Sequence, residues 1–326
     1  MHVFIAVLLW ILWILGGAFG LLLAFVVVSL PLDAIGRRKM RSYAWTDLES
    51  APESRETLIV YLPGLLAIAR TSSLDVIDVW QRYGDVMLVE YGRTDKFDPS
   101  YIIKLVVSEL RDRLRSGKYK HLIFIGSSMG GRLAYDVLQV GALRYGLLPV
   151  MKRRSGLRVH LMLLDSPTSA SDLYLVPPWA VKVAPGLIRI LPFGPIWDSF
   201  HLISKIFIPP KKENLEPGVD IVELNRRVDE AKQFALSFWR DEVRYIVTDG
   251  EPGEQMPYGL IDDVVFVHSS GDDDTVRPSA FSKWAVAYPT IEGPIEVDSK
   301  HVAFSEKPRA WRDAFDVLLA RLVARE

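Results

Sequence analysis

The stretch HLIFIGSSMGGRLAYD, residues 121–136, passes from an apolar run through a turn carrying two serines and three glycines into a helical pattern. Glycine there costs backbone order and serine adds little packing, so local propensity does not account for the turn. Within it lies the pattern G-x-S-x-G, as Gly126-Ser127-Ser128-Met129-Gly130. A serine on a strained strand–turn–helix corner projects its Oγ away from the sheet, and flanking glycines let neighbouring backbone come close. The start of the following helix offers free N–H groups and a partial positive charge where an oxyanion would form. Ser128 is thereby a candidate nucleophile, and Ser127, without the glycine spacing, a weaker one. The competing reading is a tight turn with no chemistry.

A neutral serine needs a positioned base. The chain has six histidines, so elimination is feasible. His2 adjoins a long apolar run. His160 lies inside an apolar strand pattern, and His121 opens the strand whose far end carries the serine. His201 falls in an irregular region, and His268 precedes the best acid candidate. His301 remains, between a late strand pattern and the last helical one. The acid should follow a late strand, and HSSGDDDTVRP, 268–278, presents three aspartates where VVFVH ends. By itself such a run is as easily a solvated loop or a helix cap.

Strand patterns alternate with helical ones around this turn. Residues 57–62 (TLIVYL), 85–91 (DVMLVEY), 121–125, 157–164 (LRVHLMLL), 264–268 (VVFVH) and 293–297 (GPIEV) predict strands. Their continuous apolar character predicts parallel strands covered on both faces. Helices are predicted over 74–83, over 99–114 with apolar residues at 102, 103, 106, 107, 110 and 114, and over about 306–323. Between 171 and 257 the rhythm breaks into prolines and aromatics, too long for a plain loop and read as an inserted cap. The expected organisation is a core of 57–170 and 258–326 interrupted by a cap at 171–257.

From Val3 to Leu32 there is no charged residue, and the basic cluster Arg37, Arg38, Lys39 and Arg41 follows. A spanning helix needs roughly 20 apolar residues, so residues 1–32 are expected to be an uncleaved membrane anchor. A signal peptide fits less well, because no Lys or Arg precedes the run and it exceeds the roughly 7–15 residues of an h-region. A re-entrant hairpin bent at Gly16, Gly17 and Gly20 is a third reading. Basic residues just after the span place the remainder of the chain in the cytoplasm. Residues 33–56 then read as a juxtamembrane connector.

These features together resemble the α/β-hydrolase fold family, in its serine esterase and lipase branch. The resemblance rests on Gly126-Ser127-Ser128-Met129-Gly130-Gly131, on Gly271-Asp272-Asp273-Asp274-Thr275-Val276-Arg277-Pro278, and on His301 before the final helix, and it keeps the Ser…Asp…His chain order. It implies a mostly parallel sheet flanked by helices and a triad of Ser128, Asp274 and His301, with Asp165 as the alternative acid. It also implies an oxyanion hole from the backbone N–H groups of Leu65 and Met129. In Leu62-Pro63-Gly64-Leu65 a proline stands where the family often has histidine, and Ser127 occupies the position of a usual large residue. Haloalkane dehalogenases and epoxide hydrolases of this fold need a carboxylate nucleophile, so a serine argues against both.

The expected reaction is two-step acyl transfer to water from a carboxylic ester, with a lipid-like acyl substrate suggested by the apolar, aromatic stretch 176–210 and by the anchor. Acyl transfer to another acceptor and thioester hydrolysis use the same triad, and an inactive hydrolase-fold scaffold in the membrane is the non-enzymatic alternative. A formal net charge of −1 gives no reason to expect nucleic acid as a partner, and the absence of cysteine excludes disulfides and thiolate metal sites. No phosphate-binding glycine loop, dinucleotide fingerprint or His-Glu-x-x-His pattern is present, so no cofactor or metal is expected.

Overall fold

A computed structural model describes residues 44–48, 56–65, 67–91, 97–143, 145–174, 215–231, 241–242, 245–246, 259–270 and 275–324, with three isolated glycines at 16, 17 and 20. Seven strands form one sheet: β1 (Ala44–Leu48), β2 (Thr57–Leu62), β3 (Asp85–Glu90), β4 (His121–Ser127), β5 (Arg158–Leu164), β6 (Asp263–Ser269) and β7 (Glu292–Val297). Their order is β1-β3-β2-β4-β5-β6-β7, all parallel except β1, which runs antiparallel to β3. The helices are α1 (Ala69–Ser73), α2 (Ile77–Tyr83), α3 (Pro99–Leu114), α4 (Met129–Leu143), α5 (Leu147–Ser155), α6 (Ile221–Ala231), α7 (Ser279–Ala287) and α8 (Pro308–Ala324).

Strands β2 to β6 are buried on both sides, which is why they read as unbroken apolar runs. On β2, Leu58, Val60 and Leu62 join one core, while Ile59 and Tyr61 join the other. The first core is covered by α3, α4 and α5. The second is covered by α2 and α8, whose Trp311 and Phe315 meet Phe304 and Trp80 at ring separations of 4.9 and 5.3 Å. Helix α3 follows its sequence pattern closely. Asp98 accepts from the Tyr101 N–H at 3.1 Å, Pro99 takes the first turn, and Ile102, Ile103, Val106, Val107, Leu110 and Leu114 are buried.

Strand β1 is an addition to the expected elements, inside the stretch 33–56 read as connector. Its sequence AWTDL carries no apolar run, and Asp47 is exposed and Leu48 half-buried. Its Asp47 is held by Arg113 at 2.7 Å. The apolar segment 3–32 lies outside the described residues, the three glycines apart, and among the described residues no helix is long and apolar enough to cross a membrane.

Most of the insertion, including 175–214, is likewise outside the described residues. Described parts of it tie to the core, Glu216 and Arg227 among them. Glu216 accepts the backbone N–H groups of Arg309 and Ala310, at 2.8 and 3.2 Å, and so caps α8. Arg227 on α6 binds Asp75 at 2.5 Å and the Ser305 hydroxyl at 3.4 Å.

Candidate active site

Backbone register brings the candidate residues to one end of the sheet. Leu62 pairs with Gly126, Ser127 with Leu164, and Leu164 with Val267. The residues just beyond these pairs therefore line up across four adjacent strands: Gly64, Ser128, Asp165 and His268. In open parallel sheets, ligands bind outside the carboxyl ends of the strands, which is where this row lies.

Ser128 sits between the last residue of β4 and the first of α4, with φ of 51°. Its N–H is bonded to the Leu164 carbonyl at 2.7 Å, and its carbonyl accepts from Gly131 N at 3.0 Å, so the corner is held from both sides. The surrounding glycines are walls. A Cβ on Gly126 would stand 2.3 Å from Gly131 Cα, one on Gly130 2.1 Å from the Leu62 carbonyl oxygen, and one on Gly131 1.9 Å from Ser166 Oγ. Gly64 abuts the corner, its virtual Cβ 3.1 Å from Ser128 Cβ.

The loop expected to supply the oxyanion hole is fixed beside it. Tyr91 OH donates to the Pro63 carbonyl at 3.1 Å, and the Ala67 N–H closes a turn onto the Gly64 carbonyl at 3.2 Å, with Leu65 inside that turn. Met129 opens α4, where first-turn N–H groups have no intrahelical acceptor. Ser127 is buried, its hydroxyl bonded to Tyr61 OH at 3.1 Å, and Tyr61 in turn contacts Ser72 Oγ at 3.2 Å. Burial pushes the Tyr61 phenol up to about 12, so this is a neutral packed hydroxyl chain.

Asp165 emerges as a hub. It is fully buried, with φ of 43°, and its N–H bonds the Val267 carbonyl at 2.9 Å. His268 Nδ1 lies 2.8 Å from Oδ1, the Ser269 N–H donates to Oδ1 at 2.9 Å, and the Ser269 hydroxyl donates to Oδ2. His301 Nδ1 stands 4.0 Å from Oδ2, outside hydrogen-bond range, with a fifth of its side chain exposed. The Val302 N–H reaches Ser269 Oγ at 3.3 Å, and Val302 has φ of 42°.

Three non-glycine residues among those described hold positive φ, and they are Ser128, Asp165 and Val302. Such conformations cost about 1–3 kcal/mol each and persist only where surrounding structure enforces them; for β-branched valine the outlier is strongest. All three belong to this end of the sheet, joined through β5 and the Asp165 hydrogen bonds.

Asp272, Asp273 and Asp274 lie outside the described residues. Ser269 and the strained Val302 were not legible as site residues, because a serine beside a strand end and a valine after a histidine carry no pattern of their own. His121 and His160 are placed far from Ser128, at the opposite end of β4 and β5. They stack with ring centres 5.4 Å apart, His121 Nδ1 faces His160 Nε2 at 3.2 Å, and His160 Nδ1 faces Asp263 at 2.9 Å. Burial outweighs the Asp263 charge and pushes His160 down to about 4.

Among the described residues, no group of three or more His, Asp or Glu side chains could hold a metal ion. Two cavities of roughly 270 and 350 Å³ also lie away from Ser128. They are lined by ion pairs such as Asp85–Lys118 and Asp75–Arg227, and neither includes Ser128, Asp165, His268 or His301.

The sheet order, the strained serine corner and the flanking helices are those of an α/β-hydrolase fold. Solved structures agree. An enol-lactonase from Burkholderia xenovorans LB400 superposes with a TM-score of 0.57 at 13% identity, over 87% of this chain and 96% of that one. An esterase from Rhodococcus sp. ECU1013 gives 0.55 at 14% identity, over 87% and 99%. A deformylase from Pseudomonas putida S16 gives 0.53 at 14% identity, over 84% and 98%. No protein-family model matches the chain, and no curated protein matches it.

Proposed function

We propose that the chain is a serine hydrolase that cleaves a carboxylic ester with a lipid-like acyl group, tethered to a membrane by residues 1–32. The observation that carries this reading is Ser128, held at positive φ on a turn whose glycines admit no side chain. That expense in backbone strain has no packing return, since Ser127 beside it makes the buried hydrogen bond instead.

His301 takes the Ser128 proton as the oxygen attacks the ester carbonyl, and the Leu65 and Met129 N–H groups hold the oxyanion. The protonated imidazole gives its proton to the departing alcohol, leaving an acyl-serine. Water then attacks that acyl group, losing a proton to His301, and Ser128 leaves re-protonated with release of the acid. Asp274 follows the β6 strand in chain order and orients His301. Esterase and serine-hydrolase neighbours of the same fold are consistent with the chemistry.

Labelling of the detergent-solubilised protein with a fluorescent fluorophosphonate tests the reading without a guessed substrate. The expected result is labelling of wild type and Ser127→Ala and none of Ser128→Ala. A folded wild type that stays unlabelled with and without liposomes overturns it.

A further inference from the structure

We infer that the active-site end of the sheet, and not its opposite end, faces the lipid bilayer, so that substrate is drawn from the membrane surface directly below Ser128. This rests on the reading of residues 3–32 as a membrane span.

The observation is the polarity of β1. Thr46 pairs with Leu88, Leu88 with Tyr61, and Tyr61 with Ile125. Thr46 is therefore level with Ile125, and because β1 runs antiparallel, Ala44 is level with Ser127, next to the nucleophile. Three strand spacings separate the two, about 14 Å. Had β1 been parallel like the others, the chain would have entered the sheet at the far end, level with Ile123. The uncharged run thus delivers the chain to the catalytic end of the domain.

The link is short. Residues 33–43 separate Leu32 from Ala44. A relaxed linker of this length has a root-mean-square span of roughly 18 Å, and a fully extended one reaches no more than about 40 Å. Arg37, Arg38, Lys39 and Arg41 lie within it, and basic residues at an anionic surface contribute about 1 kcal/mol each. They draw the linker, and the start of β1 with it, onto the headgroups.

The opposite end also carries cations, which is the competing arrangement. There, Lys118 is paired with Asp85 at 2.6 Å, Lys120 with Glu56 at 2.7 Å and Arg115 with Asp112 at 3.4 Å, while Arg153 and Arg154 at the end of α5 are exposed, so the two ends are told apart by where the chain enters β1 and not by charge alone.

The chain has no cysteine, so single labels are easily placed. Ser100 and Ser116 are both exposed and flank the two ends of α3, which spans 16 residues, so the sites stand about 24 Å apart at opposite ends of the sheet. Full-length Ser100→Cys and Ser116→Cys, each carrying an environment-sensitive fluorophore, are reconstituted into phosphatidylcholine vesicles doped with headgroup-quencher lipid, with and without phosphatidylserine. Expected is co-flotation with vesicles and quenching several-fold stronger at position 100 than at 116 in both compositions. Co-flotation with equal or reversed quenching in either composition overturns the inference and leaves the anchor intact. A protein that does not float with vesicles overturns anchor and orientation together, while fluorophosphonate labelling of the same samples reports separately on the hydrolase reading.

Discussion

Asp165 and Val302 are joined through one hydroxyl: Ser269 Oγ donates to the Asp165 carboxylate and accepts the Val302 N–H at 3.3 Å. The residue after the candidate base is thereby tied to a buried carboxyl group just past β5, and the left-handed turn at Val302 is held in place by it. Ser269→Ala removes the link and leaves a buried acceptor and a strained N–H underserved, at a cost of about 1–3 kcal/mol. The expected outcome is a lowered melting temperature and a slower fluorophosphonate reaction in the protein that remains folded. Ser269→Thr, which restores the hydroxyl, should recover most of the rate. Equal rates for the alanine variant and wild type would show that the turn does not position His301.

The two carboxylates are separable. Asp274→Asn is expected to leave the melting temperature near wild type and to lower the labelling rate on the order of 10³–10⁴-fold, as when a triad imidazole loses its orienting acid. Asp165→Asn strips a charged acceptor from three donors, each such bond being worth about 1.5–3 kcal/mol, so it should cost mainly stability. Measuring both quantities on both variants decides the assignment. If Asp165→Asn is stable and inactive while Asp274→Asn is active, the acid belongs to β5.

Gly130→Ala places a methyl 2.1 Å from the Leu62 carbonyl oxygen, and backbone cannot yield as a side chain can. We expect insoluble protein, or a loss of several kcal/mol by chemical denaturation. Gly141→Ala, on the same helix with its nearest neighbour at 3.6 Å, should be neutral or slightly stabilising, since alanine is the better helix former.

Stability should fall in mild acid. His160 is fully buried and pushed down to about 4, with burial the largest cause. The unfolded chain binds a proton near pH 6.5 and the folded protein does not, so the contribution is complete above about pH 6.5 and is lost as pH falls toward 4. The upper bound is about 3 kcal/mol, from the shift at 1.36 kcal/mol per unit. Urea midpoints taken across that window check it. His160→Gln should show a flatter dependence, and an unchanged slope would remove His160 from the account.

The fold was readable where physics writes it into composition. Strands β2 to β6 are buried on both faces and announce themselves as apolar runs, whereas β1, paired on one edge, does not. β4 runs two residues past its apolar stretch, through Gly126 and Ser127, because the glycine wall around Ser128 continues the ladder without apolar side chains. The sharp turn at Ser128 was legible from that glycine spacing. The Asp165–His268–Ser269 cluster was not. Its members sit on different strands, and only the register of Leu164 with Val267 brings them together. Chain order had set His268 aside, and Asp165 entered only as an alternative acid.

Glu216 belongs to the insertion, yet its carboxylate closes the first turn of α8, seven residues or so beyond His301 in the chain. Arg227, also in the insertion, reaches Ser305 within that same interval. The insertion is therefore moored to the segment that carries the candidate base. Any swing that lifts it from these moorings pulls on the start of α8 and, through a few residues of backbone, on the imidazole. A change at Glu216 or Arg227 is thereby transmitted to the alignment of the candidate base.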